Sequence, residues 1–222
     1  MKPLHSWKVS VEEAILIQEA LKNRTIPEKT FSTVKAIGGG DVAYSKNENL
    51  LWGAIVVLSF PNLETLDMAT ADGKIPFTYI PSLLSFREGP ILIETFQRLK
   101  IKPDVMIFDG QGIAHPRGMG LASHMGLWFD LPSIGCAKTP LLDEFISPRL
   151  SKGSYEWIQG AGQKVGAVVR TKESVKPLFI SPGHRIDLLT SIQLILESCR
   201  GFRIPEPLRK AHQLSQKMLH SV

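Results

Sequence analysis

The stretch VMIFDGQGIAHPRGMGLASHMG, Val105 to Gly126, decides how the rest of the chain is read. Its first four residues, Val105 to Phe108, have the length and composition of a short buried strand. The run ends on a lone carboxylate, Asp109, and gives way to a loop with five glycines and two histidines. Desolvating an unpaired charge costs several kcal/mol, so a carboxylate at a buried strand end needs a positive partner. The glycines leave the backbone open to close approach. A divalent metal meeting Asp109 and a nucleotide meeting the glycines would satisfy both requirements.

Working outward, 222 residues suffice for one full-sized domain with a core, and 1–222 is read as a single domain. A hydrophobic fraction of 43% and a charged fraction of 21% describe an ordinary globular protein. The most apolar run, LLWGAIVVLSF (Leu50 to Phe60), is far shorter than the roughly 20 residues that span a bilayer. No membrane association is expected, and the N-terminus lacks a signal-peptide apolar core, so a cytoplasmic location is expected. Cys136 and Cys199 have no metal-like spacing and read as reduced core residues. The net charge of +5 is compatible with a polyanionic partner. Arg200, Arg203, Arg209, Lys210 and Lys217 face only Glu206 near the C-terminus, as a phosphate-contacting surface or a solvated helix face.

The elements follow from pattern. Ser10 with Glu13 three residues on caps an amphipathic helix over Ser10 to Arg24. TVKAIGGGDVAYS and LLWGAIVVLSF are strand-like and joined by the polar turn KNEN, with LETLDMATADGKI as a third antiparallel strand. YIPSLLSFREGPILIETFQRL has helical spacing, starting near Pro81 and kinked at Gly89-Pro90. GMGLASHMGLWFD reads as a helix, and SIGCAKT as a strand that leaves Lys138 at its end. SYEWIQGAGQKVGAVVRTK is two strands around a turn. KPLFISPGHRIDLLTSIQLILESC passes from strand to helix through Pro182-Gly183, and IPEPLRKAHQLSQKMLHSV closes the chain as a helix. This order predicts an α/β fold, a mixed sheet with helices on both faces.

Three carboxylates stand out by context: Asp41 after three glycines, Glu88 in SFREGP, and Asp109. If the Asp41 and Asp109 strands are neighbours, both acids reach one sheet end, with Glu88 descending from a helix. Three hard oxygen donors fit Mg²⁺; otherwise they are a helix-surface Glu and two turn-forming Asp residues. His115, His124, His184 and His212 show no zinc-like spacing. Ser123-His124 has no nucleophile elbow, and the triple glycine at 38–40 lacks the continuation of a phosphate loop.

FDGQGIAHPRGMGLASHMG, SFREGP, YIP, GGGDVAY, GCAKT, SPGH and RIPEP together closely resemble the endonuclease V family, the deoxyinosine 3′-endonucleases. The resemblance runs in order from Trp7 to about His212. It implies a ribonuclease H-like fold and a nuclease that uses Mg²⁺ or Mn²⁺ to cut DNA, or in some members RNA, at deaminated adenine. The bond expected to break is the second phosphodiester 3′ to the lesion, leaving 3′-hydroxyl and 5′-phosphate ends. Carried over, Asp41, Asp109 and Glu88 are metal ligands, His212 a further active-site residue, and Lys138 a stabiliser of phosphate charge. Tyr79, Ile80 and Pro81 resemble a wedge that fills the gap left by a rotated base; otherwise they form a strand-to-helix turn. Leu84, His115 and Leu121 are expected to wall the base pocket, with the backbones of Gly110, Gly112 and Gly120 reaching the base edge. Two positions depart from the family pattern: Thr78 replaces a proline before Tyr79, and Gly40 replaces an apolar residue and is expected to loosen its strand.

The expected partner is deoxyinosine-containing DNA or inosine-containing RNA, and the expected state a monomer. Alternatives of other classes are a non-cleaving binder of deaminated bases and an unrelated α/β enzyme acting on small phosphates.

Overall fold

The computed structural model describes residues 3–45, 49–142 and 144–221. Helix α1 (Val11–Leu21) begins as its sequence dictates. The Ser10 hydroxyl accepts from the Glu13 N–H at 3.2 Å, while the Glu13 carboxylate accepts from the Ser10 N–H at 2.8 Å. Strands β1 (Ala36–Tyr44), β2 (Leu50–Ser59) and β3 (Thr65–Lys74) form the expected antiparallel meander. Of the polar turn between β1 and β2, residues 46–48 lie outside the described residues.

Then come α2 (Leu84–Arg98), β4 (Val105–Phe108), α3 (Leu121–Phe129) and β5 (Ser133–Ala137). The hairpin β6 (Tyr155–Gly160) and β7 (Gln163–Val169) precedes β8 (Leu178–His184), α4 (Leu188–Glu197) and α5 (Glu206–Leu219). All strands join one sheet in the order β3-β2-β1-β4-β5-β8-β7-β6. The β1–β4 and β4–β5 pairs are parallel and the other pairs antiparallel.

Alternation along β1 and β4 sorts the core into two layers. Ile37, Val105 and Ile107 pack with Ile192 and Ile195 of α4 and Leu208 and Ala211 of α5. Ala36, Met106 and Phe108 pack on the opposite face with Leu92 and Phe96 of α2 and Leu121 and Met125 of α3. Among the described residues no helix is long and apolar enough to cross a membrane. Cys136 and Cys199 are buried free thiols.

Local expectations needed correction at three places. Helix α2 starts at Leu84 rather than near Pro81, and it runs on through Pro90. A proline inside a helix costs about 3 kcal/mol. The buried Phe86, Ile91, Leu92 and Phe96 each return about 1.5–3 kcal/mol, so packing prevails. Pro182 and Gly183 lie inside β8, not in a turn after it; the register shifts between Ser133 and Ile134, the kind of irregularity that admits a proline. Gly40 does not loosen β1. It stays in register with Ile55 and Phe108, and the Phe108 ring would lie 3.2 Å from a Cβ there, filling the space an apolar side chain would take.

Candidate active site

Parallel pairing of β1 with β4 sets Gly40 opposite Phe108, so the next residues, Asp41 and Asp109, emerge side by side. Asp41 is held by α5. Ser215 Oγ donates to its Oδ2 at 2.6 Å, and His212 Nδ1 lies 3.2 Å from the same oxygen. Helix α5 can come this close because Gly39 has no side chain: a Cβ there would sit 2.2 Å from the Pro207 carbonyl carbon. Glu88 arrives from α2 and accepts a 2.5 Å hydrogen bond from the Tyr44 hydroxyl, across the sheet end. Lys138, just past β5, donates to Asp109 Oδ2.

These carboxylates sense one another. Burial pushes Glu88 up to about 8; the Tyr44 hydrogen bond opposes this, and the charges of Asp41 and Asp109 add to it. Asp41 is also raised, by burial first, with Ser215 and His212 working against burial and Asp109. Burial lowers Lys138, but Asp109 and then Asp41 more than reverse this, and its pKa ends above the ordinary value. Among the described residues no three His, Cys, Asp or Glu side chains are gathered as ligands of one ion. Each acid is instead partnered inside the protein. The chemistry nevertheless fits a hard divalent cation, because three oxygen donors with two raised pKa values are what such a charge would relieve.

A cavity of about 390 Å³ opens beside this cluster, and Asp109 and Lys138 form part of its lining. Leu84, Leu121 and His115 are walls of it, and Gly110 and Gly120 also line it. Tyr79, 62% exposed, and Pro81 stand at its edge. Ile80 does not line it; it packs with Leu83 and Phe86 under α1.

Gly112 is also displaced from its expected place. A Cβ there would sit 2.1 Å from the Pro182 carbonyl oxygen, so its bareness serves loop-to-strand packing. The loop amides are spent internally. Gly110 N–H donates to Phe108 O at 3.0 Å, Gly112 N–H to Ser181 Oγ at 2.7 Å, and Gly120 N–H to Gly112 O at 3.0 Å. These three N–H groups therefore have partners within the protein. His115 is a wall in the same sense: Nε2 donates to Ser82 O at 2.8 Å and Nδ1 accepts from the Arg117 N–H at 3.1 Å. Burial pushes it down to about 4.

Sequence reasoning missed Tyr44, Ser85, Gln111 and Ser215. Ser215 follows His212 by one helical turn and Ser85 precedes Glu88 by one, a spacing that could have found them. Tyr44 carried no such signal. The basic C-terminal residues are mostly engaged with protein. Arg200 donates to the carbonyls of Pro61 and Asn62, Arg203 to those of Lys138 and Pro177, Arg209 to the Glu206 carboxylate, and Lys210 to the Thr65 hydroxyl.

A mixed sheet with acids at the ends of two adjacent parallel strands, and helices on both faces, is the architecture of the ribonuclease H-like class. The endonuclease V family profile matches residues 19–213. Endonuclease V of Dictyoglomus turgidum is 49% identical over 215 residues, covering 97% of this chain and 93% of the relative. That of Dehalococcoides mccartyi is 41% identical over 219 residues, covering 99% and 98%. The crystal structure of endonuclease V from Streptomyces avermitilis superposes with a TM-score of 0.92 at 36% identity, over 97% of this chain and 96% of that one. Endonuclease V of Ciona intestinalis, in complex with a 24mer DNA containing an inosine followed by a ribo-adenosine, superposes at 0.85 with 31% identity, over 95% and 98%. The chain belongs to the endonuclease V family.

Proposed function

We propose that this protein is a Mg²⁺-dependent endonuclease that cuts DNA at hypoxanthine, hydrolysing the second phosphodiester bond on the 3′ side of the lesion. The products carry 3′-hydroxyl and 5′-phosphate ends. The observation that carries this reading is the rim shared by the two halves of the site: Asp109 and Lys138 border the base-sized cavity and also belong to the carboxylate cluster. A base taken into the cavity therefore brings its own strand to the acids.

Phosphodiester hydrolysis needs an activated water, neutralised phosphoryl oxygens and a stabilised leaving oxygen. Asp41, Glu88 and Asp109 would hold Mg²⁺, with Mn²⁺ as a substitute, and the ion supplies the first two when bound. His212 is oriented through Nδ1 by Asp41, and its half-exposed ring leaves Nε2 to meet the substrate. Lys138 supplies a positive charge for the phosphate and the leaving oxygen.

Recognition requires the base to leave the stack. Tyr79 is exposed enough to take its place in the duplex, with Pro81 stiffening the turn and Ile80 anchoring it to α1. Leu84 and Leu121 would sandwich the rotated base, with the His115 ring as a third wall. The enzyme would act as a monomer in the cytoplasm.

Incubating an inosine-containing duplex with Mg²⁺ tests the reading. A single nick displaced to the 3′ side supports it, whereas a stable complex without product leaves only a binding protein. A second reading, inosine-containing RNA as substrate, is favoured by the ribo-adenosine that follows inosine in the Ciona intestinalis complex. Rates on matched DNA and RNA oligonucleotides decide between them.

A further inference from the structure

A second cavity, of about 250 Å³, lies against the acid cluster. Asp109 and Lys138 border it as well as the base cavity, so the two spaces meet at that pair. Cys136, Ile204 and Leu208 give the second cavity apolar walls. Besides Lys138, the groups there that can carry positive charge are Arg209 and His212, both from α5.

Arg209 is the one of these groups with no part in the cut itself. Its Nε and Nη2 donate to the Glu206 carboxylate at 2.9 and 2.7 Å, and its guanidinium carbon lies 4.5 Å from the centroid of the Phe202 ring. Glu206 is buried, whereas the Arg209 side chain is 28% exposed. An acid in the first turn of α5 suits the helix dipole by itself, so the arginine is not needed to keep it there. Paired on one edge and stacked on one face, the guanidinium is fixed in plane and direction. Of its five N–H groups Glu206 takes two, and among the described residues no other acceptor meets the rest. A planar fork with unused donors thus borders a cavity that already contains the Lys138 charge.

We propose that the second cavity receives the 5′-phosphate end released by the cut, and that Arg209 is the residue that holds it. The inference rests on the cleavage reading above, in which the strand 3′ to the broken bond leaves with a 5′-phosphate. With the base in the first cavity and the reacting phosphate at the acids, the second cavity is the adjoining space left for that end. A terminal phosphate carries about 1.5–2 negative charges at neutral pH, against one on the diester before the cut. A fixed fork beside a lysine therefore grips the product more tightly than the substrate. The nicked strand stays on the enzyme by its new end.

Equilibrium binding of two nicked duplexes, in metal-free buffer, tests this without any cleavage. Both contain inosine and a break at the second linkage on its 3′ side; they differ only in a 5′-phosphate or a 5′-hydroxyl at the break. Wild-type protein should bind the phosphate form about tenfold more tightly, the value of a charge-assisted hydrogen bond. Arg209→Gln should bring the two affinities close together, and Arg209→Lys should keep part of the difference, because the charge remains without the fork. Equal affinity in the wild type, or a difference that Arg209→Gln leaves unchanged, overturns the assignment. A loss on both duplexes alike, with a lowered melting temperature, would show that Arg209 only braces α5, and overturns it too. Intact inosine and adenosine duplexes, bound in the same buffer, test the hypoxanthine reading separately: equal affinity for those two removes that reading itself.

Discussion

The two halves of the site are built on opposite electrostatic terms. Around the cavity most polar groups are already partnered, His115 through both nitrogens, the Gly110 and Gly120 amides within the loop and Ser85 through His124, while Gln111 Oε1 is buried with no hydrogen-bond partner among the described residues. At the acid end burial and like charge leave Glu88 near 8 and Asp41 raised, despite hydrogen bonds from Tyr44 and Ser215. The first half is largely organised before anything binds, and the second would be completed by the proposed cation. Recognition and cleavage should therefore come apart under mutation.

The sharpest way to break this contrast is to remove an acid. Asp41→Ala or Asp109→Ala should lower nicking by at least about 10³-fold, comparable to losing a principal electrostatic stabiliser of the transition state. Lesion binding in a gel-shift assay should be largely retained. Parallel loss of binding and of the folded circular-dichroism signal would remove both residues from the ligand set.

Next in size is the edge of the cavity. Tyr79→Ala should cost about 1–3 kcal/mol of affinity on a duplex, the worth of one aromatic–base stack, and much less on a single strand. Equal losses on both would show that the exposed ring does not stand in for the missing base.

The smallest effect sharpens the contrast through pH. The unfolded Glu88 carboxyl releases its proton near the ordinary 4.5, while the folded one retains it to about 8. Between those values the native state binds more protons, so metal-free stability should fall as pH rises. Asp41, also raised, has the same sign. Melting curves of metal-free protein should show this decline, Glu88→Gln should flatten it, and added Mg²⁺ should raise the melting temperature most near the alkaline end. A profile that rises over this window in the wild type would contradict the description of the acid end.

The sheet and most helices were legible because their signals are local: the Ser10 and Glu13 cap, the unbroken apolar run of β2, the isolated Val105–Phe108 strand. Strand order was not, since pairing of β1 with β4 joins residues far apart in the chain, and only the family resemblance supplied it. Pro182 was misplaced because a proline belongs in a strand only at an irregularity, which is visible only with its partner. The acids could be named from their surroundings. Their partners could not, because Tyr44 meets Glu88 and Ser215 meets Asp41 through tertiary packing alone. The glycines were correctly seen as places of close approach. What approaches Gly39 and Gly112 is the protein's own backbone, from α5 and β8.

The bareness of Gly39 also orders events in time. Helix α5 follows in chain order every residue that lines the cavity, so Asp41 gains His212 and Ser215 last during synthesis. Stalled translation complexes with and without residues 206–219 outside the exit tunnel should differ in nicking far more than in inosine capture.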